Sequence, residues 1–118
     1  MPQTYKILGQ VFTTPNTFAN IYVTGSNAAD SAVINSIYFC NQGTSTANVD
    51  LIIRPISQAL ANKHYIVRNQ KVEASATFLL NLGVTVGNNT IIAANTKYTP
   101  GQAGVSNTSF SAFGIEIT

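Results

Sequence analysis

The chain has 118 residues and a mass of 12.6 kDa, the size of one compact domain with a single core and no second lobe. Hydrophobic residues make up 45% of it, which argues against intrinsic disorder, while charged residues make up only 8%, against about 25% in an ordinary soluble domain. Its polar residues are instead 13 Asn, 14 Thr, 9 Ser and 6 Gln, which favour turns, strands and uncharged contact surfaces.

Several classes of function are disfavoured by what the composition lacks. No apolar run approaches the roughly 20 residues of a membrane helix, and the N-terminus shows no signal-peptide pattern. The single cysteine, Cys40, cannot form an intramolecular disulfide or a multi-thiolate zinc site. The net charge of +2 is too weak for a nucleic-acid footprint. We therefore expect no nucleic-acid, membrane, metal or cofactor partner.

The first half of the chain reads as short β-branched and aromatic runs separated by turn residues. Strands are predicted at Thr4–Val11 and Phe18–Thr24, and Tyr22 falls on the less apolar face of the second. The longest apolar run, Ala32–Asn41, is predicted to be a central strand covered on both sides. We expect it to form a long-loop hairpin with Val49–Pro55, where Pro55 ends the strand or places it at an edge.

The second half continues the same pattern after one short exception. Only Ser57–Lys63 has helical propensity, and its length predicts a turn or a single helical turn. The remaining predicted strands are His64–Arg68, Thr77–Val86, Thr90–Asn95 and Thr108–Thr118, with a long loop at Thr96–Asn107. The clearest alternation places Phe78, Leu80, Leu82, Val84 and Val86 inward.

About eight strands with turns at regular spacing predict an all-β fold. We interpret residues 1–118 as a single antiparallel β-sandwich domain, either a jelly roll or immunoglobulin-like.

Catalytic side chains are few, and we predict that the chain is not an enzyme. His64 has no second histidine and no carboxylate fixed beside it, so we interpret it as an interface or surface residue. Cys40 is expected to be packed in its apolar run, with an intermolecular disulfide as the alternative. The four acidic residues, which are isolated from one another in sequence, are Asp30, Asp50, Glu73 and Glu116.

A basic group is the candidate interface. It consists of Lys63, His64, Arg68 and Lys71, with Arg54 nearby in sequence. We predict that this group contacts another protein; the alternative is a solvated strand edge whose charges prevent aggregation. Tyr22 is a candidate anchor of an interface, since interfaces favour tyrosine, and the alternative is packing between strands.

Several segments together resemble a family of small tailed-bacteriophage virion proteins, found especially in phages of aquatic bacteria and cyanobacteria. These segments are Thr4–Gln10, Phe39-Cys40-Asn41, Arg54-Pro55, Ala61–Ile66, Leu80–Val84 and Phe113–Glu116. The match follows the order and spacing of nearly the whole chain, and Thr96–Asn107 is similar to an insertion relative to shorter relatives. The resemblance implies a virion structural protein and transfers no mapped functional residue.

The leading hypothesis is a non-enzymatic capsid decoration or cement protein. It would bind the exterior of the shell as an oligomer, with a trimer as the first expectation, and its partner would be the major capsid protein. One alternative is a tail, baseplate or fibre-attachment subunit whose partners are tail or baseplate proteins. Another is a glycan-binding module for host recognition. The first two locate the protein in the virion, assembled in the host cytoplasm.

Overall fold

Eight strands form two antiparallel four-stranded sheets in the computed structural model, which describes residues 4–12, 18–42, 46–97 and 108–117. The strands are β1 (Thr4–Phe12), β2 (Ala19–Val23), β3 (Ser31–Asn41), β4 (Ala47–Pro55), β5 (Tyr65–Val72), β6 (Thr77–Val86), β7 (Thr90–Lys97) and β8 (Thr108–Ile117). Sheet A has the order β1-β8-β3-β6, and sheet B has the order β2-β7-β4-β5. The predicted antiparallel β-sandwich is confirmed.

The strand order decides between the two predicted topologies. β1 pairs with β8, β2 with β7, β3 with β6 and β4 with β5, so each strand pairs with the one counted from the opposite end. The chain is thus a long antiparallel ribbon folded over on itself, which is a jelly roll. The immunoglobulin-like alternative is wrong, because its sheets combine the strands in a different order.

The core lies between the two sheets and is mainly apolar, although the polar side chains of Asn41, Thr96 and Thr108 are also fully buried. Its largest fully buried apolar side chains are Phe39, Phe110, Ile34 and Ile37 from sheet A and Leu51, Ile92 and Val49 from sheet B. The Phe39 ring lies 5.2 Å from Phe110 and 5.6 Å from Phe78, centroid to centroid. Each such side chain contributes about 1.5–3 kcal/mol by leaving water.

The predicted hairpin between the third and fourth strands is wrong. β3 lies in sheet A and β4 in sheet B, so the connection after Asn41 crosses from one sheet to the other. Both hydrogen-bonding edges of β3 are already occupied, by β8 on one side and β6 on the other. A period of two indicates a strand but does not identify its neighbours.

The prediction that the third strand is covered on both sides is also wrong. β3 is central in its sheet, but its outer face is open, and Tyr38 there is 40% exposed. The strand buried on both faces is β7, over residues 91–96. A second apolar cluster covers it from outside, in which Ile52, Ile91 and Ala93 pack against Phe18 and Tyr65.

Other predictions of local structure are confirmed. A single 3₁₀ turn occupies Asn62–His64, at the end of the segment Ser57–Lys63 where one turn was expected, and it extends one residue past that segment. β6 alternates as predicted, with its even-numbered side chains toward the core. Thr96 and Lys97, the first two residues of the predicted loop, belong instead to β7, and residues 98–107 lie outside the described part of the chain. No helix among the described residues is long and apolar enough to cross a membrane.

Candidate functional site

The basic group is divided between the two ends of strand β5. β5 is an edge strand of sheet B, and Lys71, near its far end, lies opposite Asn48. The other members gather around the connection between β4 and β5. An edge strand rich in charge is protected against pairing with other chains, which fits the alternative of a solvated edge as well as a protein contact. The interface assignment of the group therefore stays a prediction.

Two arginines of this group are held by the loop that they border. The Arg54 guanidinium donates to the backbone carbonyl of Gln58, Nη1 to oxygen at 2.7 Å. Arg68 donates to the Asn62 side-chain oxygen at 3.3 Å, and its guanidinium carbon lies 4.6 Å from the Tyr65 ring centroid, a cation–π distance. Their donors hold the connection over residues 56–64 against the sheet.

His64 is buried, so the prediction that it is a surface or interface residue needs correction. Its side chain is only 5% exposed. Nδ1 accepts a hydrogen bond from the Ala61 backbone N–H at 3.0 Å, and Nε2 lies 3.2 Å from the Gln58 side-chain oxygen, to which it donates. Both ring nitrogens are occupied in the neutral tautomer with the proton on Nε2. The imidazole shapes the loop that displays Lys63, which is exposed.

Lys71 is an exposed member of the group and forms an ion pair with a neighbour on the surface. Its ammonium lies 3.5 Å from the Glu73 carboxylate, and both side chains are largely exposed. Such a pair contributes little to stability, because water and salt screen it.

Tyr22 makes a contact between the two sheets. Its hydroxyl donates to Glu116 Oε2 at 2.6 Å, and Lys6 donates to Oε1 of the same carboxylate at 3.0 Å. Tyr22 belongs to β2 of sheet B, whereas Lys6 and Glu116 belong to β1 and β8 of sheet A. The Tyr22 ring also packs on the core, so this side chain is engaged within the molecule, and its role as an interface anchor stays a prediction.

These contacts move two pKa values in opposite directions. Burial, assisted by the hydrogen bond to Glu116, raises the pKa of the Tyr22 hydroxyl well above its usual 10.0. The hydrogen bonds from Tyr22 and then from Lys6 lower the pKa of the Glu116 carboxyl from its usual 4.5. The ionised carboxylate and the neutral phenol are therefore the forms that the fold favours.

The remaining acidic residues serve separate local roles. Asp30 accepts the Asn27 backbone N–H at 3.2 Å, and Asp50 accepts that of Asn69 at 2.9 Å. Glu73 accepts the Thr46 hydroxyl at 3.2 Å. Across the described ranges, no three His, Cys, Asp or Glu side chains come together as a metal site would require.

A surface that the sequence reasoning missed is the outer face of sheet A. Its outward side chains form four rows from β1 through β8 and β3 to β6, each row defined by the pairing of the strands. The rows are Phe12, Ser109, Cys40 and Thr77; Gln10, Ser111, Tyr38 and Leu79; Ile7, Phe113, Ser36 and Asn81; and Ile115, Val33 and Thr85. None of these side chains carries a formal charge.

An aromatic pair and a recess lie at the centre of this face. The rings of Tyr38 and Phe113 meet edge to face, with centroids 5.4 Å apart. They border a recess of about 350 Å³ together with the hydroxyl side chains of Ser36 and Ser111. Cys40 lies half-buried in the neighbouring row.

A signal for this face was present in the sequence. No charged residue occurs between Asp30 and Asp50 or between Glu73 and Lys97, the two intervals that contain β3 and β6. Recognising it required knowing that these two strands pair with each other.

Among the comparisons with known proteins, only the comparison with solved structures gives matches. No protein-family model matches the chain, and no curated protein matches it. Among solved structures, a chain of the T13 particle of infectious bursal disease virus is 12% identical with a TM-score of 0.59, and the match covers 98% of this chain and 30% of that one.

Two further structures of the same virus are similar at the level of fold. A chain of the Gt strain is 11% identical with a TM-score of 0.54, over 98% of this chain and 32% of that one. A chain of T=1 particles derived from the virus is 7% identical with a TM-score of 0.51, over 98% and 34%. The chain therefore spans about a third of the length of the solved chains that it matches, and shares the fold of that third.

Proposed function

We propose that this chain is a non-enzymatic structural domain of a virus particle, which acts by burying surface against its neighbours in the shell. The observation that carries the proposal is the jelly roll itself, whose strands align over 98% of the chain with chains from virus particles. The same fold also supports lectins and other binding domains, so the fold alone is an argument by analogy.

The dispersal of its ionisable groups supports a role without catalysis. His64 has both nitrogens engaged within its own loop, and Glu116 is bound by Tyr22 and Lys6. Catalysis by an acid–base pair requires such groups to converge on a pocket, with at least one left free to exchange a proton. The central recess is lined instead by two aromatic and two serine side chains.

Within the particle, the proposal is a decoration or cement protein on the outside of the capsid. It would bind the major capsid protein as an oligomer, with a trimer as the first expectation, and brace the junctions between capsomers. Weak contacts suffice in that position, because many copies bind the same lattice at once. The tailed-bacteriophage resemblance of the sequence favours this role, since it implies a virion structural protein.

The alternative place in the particle is a tail, baseplate or fibre attachment. In that place an extended segment of a partner would pair with an open strand edge of the sandwich, either β1 or β6 of sheet A. A glycan-binding module is the other candidate, favoured by the Tyr38 and Phe113 rings beside two serine hydroxyls, a combination of stacking surface and hydrogen-bonding groups.

Copy number in purified particles tests the proposal. Quantitative mass spectrometry against the major capsid protein should find hundreds of copies for a decoration protein and about a dozen or fewer for a tail ring. A cryo-electron microscopy map of the same particles then gives location and stoichiometry together. Absence of the chain from purified particles would overturn the proposed function, and binding of the isolated protein to a glycan array would then favour the glycan module.

A further inference from the structure

We propose that the outer face of sheet A is a contact between two copies of this chain, packed sheet against sheet. The proposal rests on the proposed function, in which many copies of one domain assemble, and it names the surface and the partner. It is carried by the charge, area and composition of the four rows of outward side chains.

The absence of charge favours a second copy as the partner. When two identical faces meet across a two-fold axis, each patch contacts the same patch of the other copy, and any net charge would face a like charge. None of the described outward side chains of sheet A belongs to Asp, Glu, Lys, Arg or His. The edge of sheet B contrasts with it, since Arg68 and Lys71 lie there on β5.

The face has enough area for a specific contact. Four strands spaced by about 4.8 Å and about ten residues long, at about 3.3 Å per residue, project an area of about 600 Å². Because side chains project from the sheet, the solvent-accessible area of the face is larger than this projected area. Specific interfaces bury about 600–1,000 Å² on each partner, so one copy of this face is large enough for a contact at the lower end of that range.

The composition of the face is that of the centre of an interface. Ile7, Phe12, Tyr38 and Leu79 are all large apolar or aromatic side chains exposed on it. Interface centres are enriched in aromatic residues and depleted of charge, and their strongest contacts fill pockets on the partner. The recess beside Tyr38 and Phe113, of about 350 Å³, can receive such a side chain from the second copy.

The face is favoured over the neighbouring strand edge as the place of contact. β6 is the edge of sheet A next to this face, and Gly83 within it has a φ of +63°. The register between β3 and β6 shifts at this point. A bulge of this kind twists an edge and interrupts its ladder, which opposes pairing with a further strand.

The test compares two substitutions of nearly equal exposure on opposite sheets. Leu79→Lys introduces a charge on the proposed contact, where leucine is 43% exposed, and Ile66→Lys does so on β5 of sheet B, where isoleucine is 46% exposed. Circular dichroism first verifies that both variants keep the wild-type spectrum. Sedimentation velocity between about 1 µM and 1 mM then measures self-association, a range that covers weak to moderate contacts.

We expect the wild type and Ile66→Lys to associate alike and Leu79→Lys to do so at least about tenfold more weakly, because a buried charge there has no partner. The thiol of Cys40, the single cysteine, provides a second measurement on the same face. Its rate of reaction with a maleimide should fall as wild-type concentration rises, and it should not fall for Leu79→Lys.

Three results would overturn the contact between copies. The first is a wild type that remains monomeric over the whole range. The second is equal association of the two variants. The third is a monomer whose Cys40 is protected only when capsid shells or a neutral oligosaccharide are added, which would assign the face to that other occupant.

A failure of this inference can be distinguished from a failure of the proposed function. If the chain is abundant in purified particles but Leu79→Lys associates like the wild type, the inference fails and the proposed function stands. If the face associates as expected but the chain is absent from particles, the inference stands and the proposed function fails.

Discussion

Tyr22, Glu116 and Lys6 show how a few polar side chains align the two sheets of this sandwich. One carboxylate accepts a hydrogen bond from a phenol of sheet B and another from an ammonium group of sheet A. Hydrogen bonds to a charged group are stronger than those between neutral groups. Since the burial of apolar side chains is non-directional, this set of contacts helps to define how β2 lies beside β8.

Removing the Tyr22 hydroxyl should destabilise the fold in a pH-dependent way. Tyr22→Phe is expected to lower the free energy of unfolding by about 1–2 kcal/mol at neutral pH, the range for a bond to a charged group that is partly exposed. The pKa of Glu116 is lowered in the folded state, so this contribution is present above its usual value of 4.5 and is lost as the pH falls through the lower folded pKa. Urea unfolding at pH 7 and pH 3 measures it.

The control for this measurement is Tyr38→Phe, which removes the hydroxyl of a tyrosine that is 40% exposed on the outer face of sheet A. Its effect should be small and equal at both pH values. A Tyr22→Phe effect that is the same at pH 7 and pH 3 would show that the bond to Glu116 is not its source.

His64 should stabilise one loop rather than the whole fold. His64→Ala removes both side-chain bonds, to the Ala61 N–H and the Gln58 side chain, and leaves a space under the loop. We expect backbone amides of residues 56–64 to exchange with deuterium about tenfold faster or more, while those of β3 and β8 keep their protection. Lys63→Ala, at an exposed neighbour, is the matched control. Equal exchange in both variants would contradict the role of His64.

At the scale of the elements, the buried face of a strand could be predicted from the sequence only where the strand has one apolar face rather than two. β6 alternates between apolar residues and a mixed set, so its inward face was predictable from the sequence alone. β8 is apolar on both faces, and the alternation of Phe113, Ile115 and Ile117 favours their face as the buried one. The structure buries Phe110 and Ala112 instead, because β8 lies between β1 and β3 and must match their registers.

The two phenylalanines of β8 should therefore differ in their contribution to stability. Phe110 is fully buried against Phe39, whereas Phe113 lies on the outer face beside Tyr38. Phe110→Ala should lower the free energy of unfolding by about 3–5 kcal/mol, the usual effect of a core truncation. Phe113→Ala should cost less than half of that at low protein concentration. Chemical denaturation of both variants measures the difference, and equal losses would show that the faces are assigned incorrectly.

Pairing between strands distant in sequence was beyond the reach of the sequence pattern. Strand positions and the single 3₁₀ turn follow from local residue preferences, and these were largely predicted. The hairpin between β3 and β4 was not correct, because periodicity contains no information on the partner of a strand. The uncharged face was missed for the same reason: its rows combine residues from both ends and the middle of the chain.

For the whole molecule, the folded ribbon predicts slow folding. β1 pairs with β8 and β2 with β7, so the sheets cannot close until segments distant in sequence have met. Folds dominated by such pairings fold in milliseconds to seconds. Stopped-flow dilution from urea should show this time scale by tyrosine fluorescence, since the chain has five tyrosines and no tryptophan. Complete recovery of the signal within the mixing time would contradict the prediction.

The pairing of β1 with β8 has a consequence for how this domain can be combined with others. Thr4 lies opposite Glu116, so the polypeptide enters and leaves the sandwich at one point of its rim. A domain with this geometry can be inserted between two adjacent residues of a host polypeptide without stretching either junction. The jelly roll is thus suited to insertion into a larger protein as a complete domain, joined to it through the adjacent ends of β1 and β8.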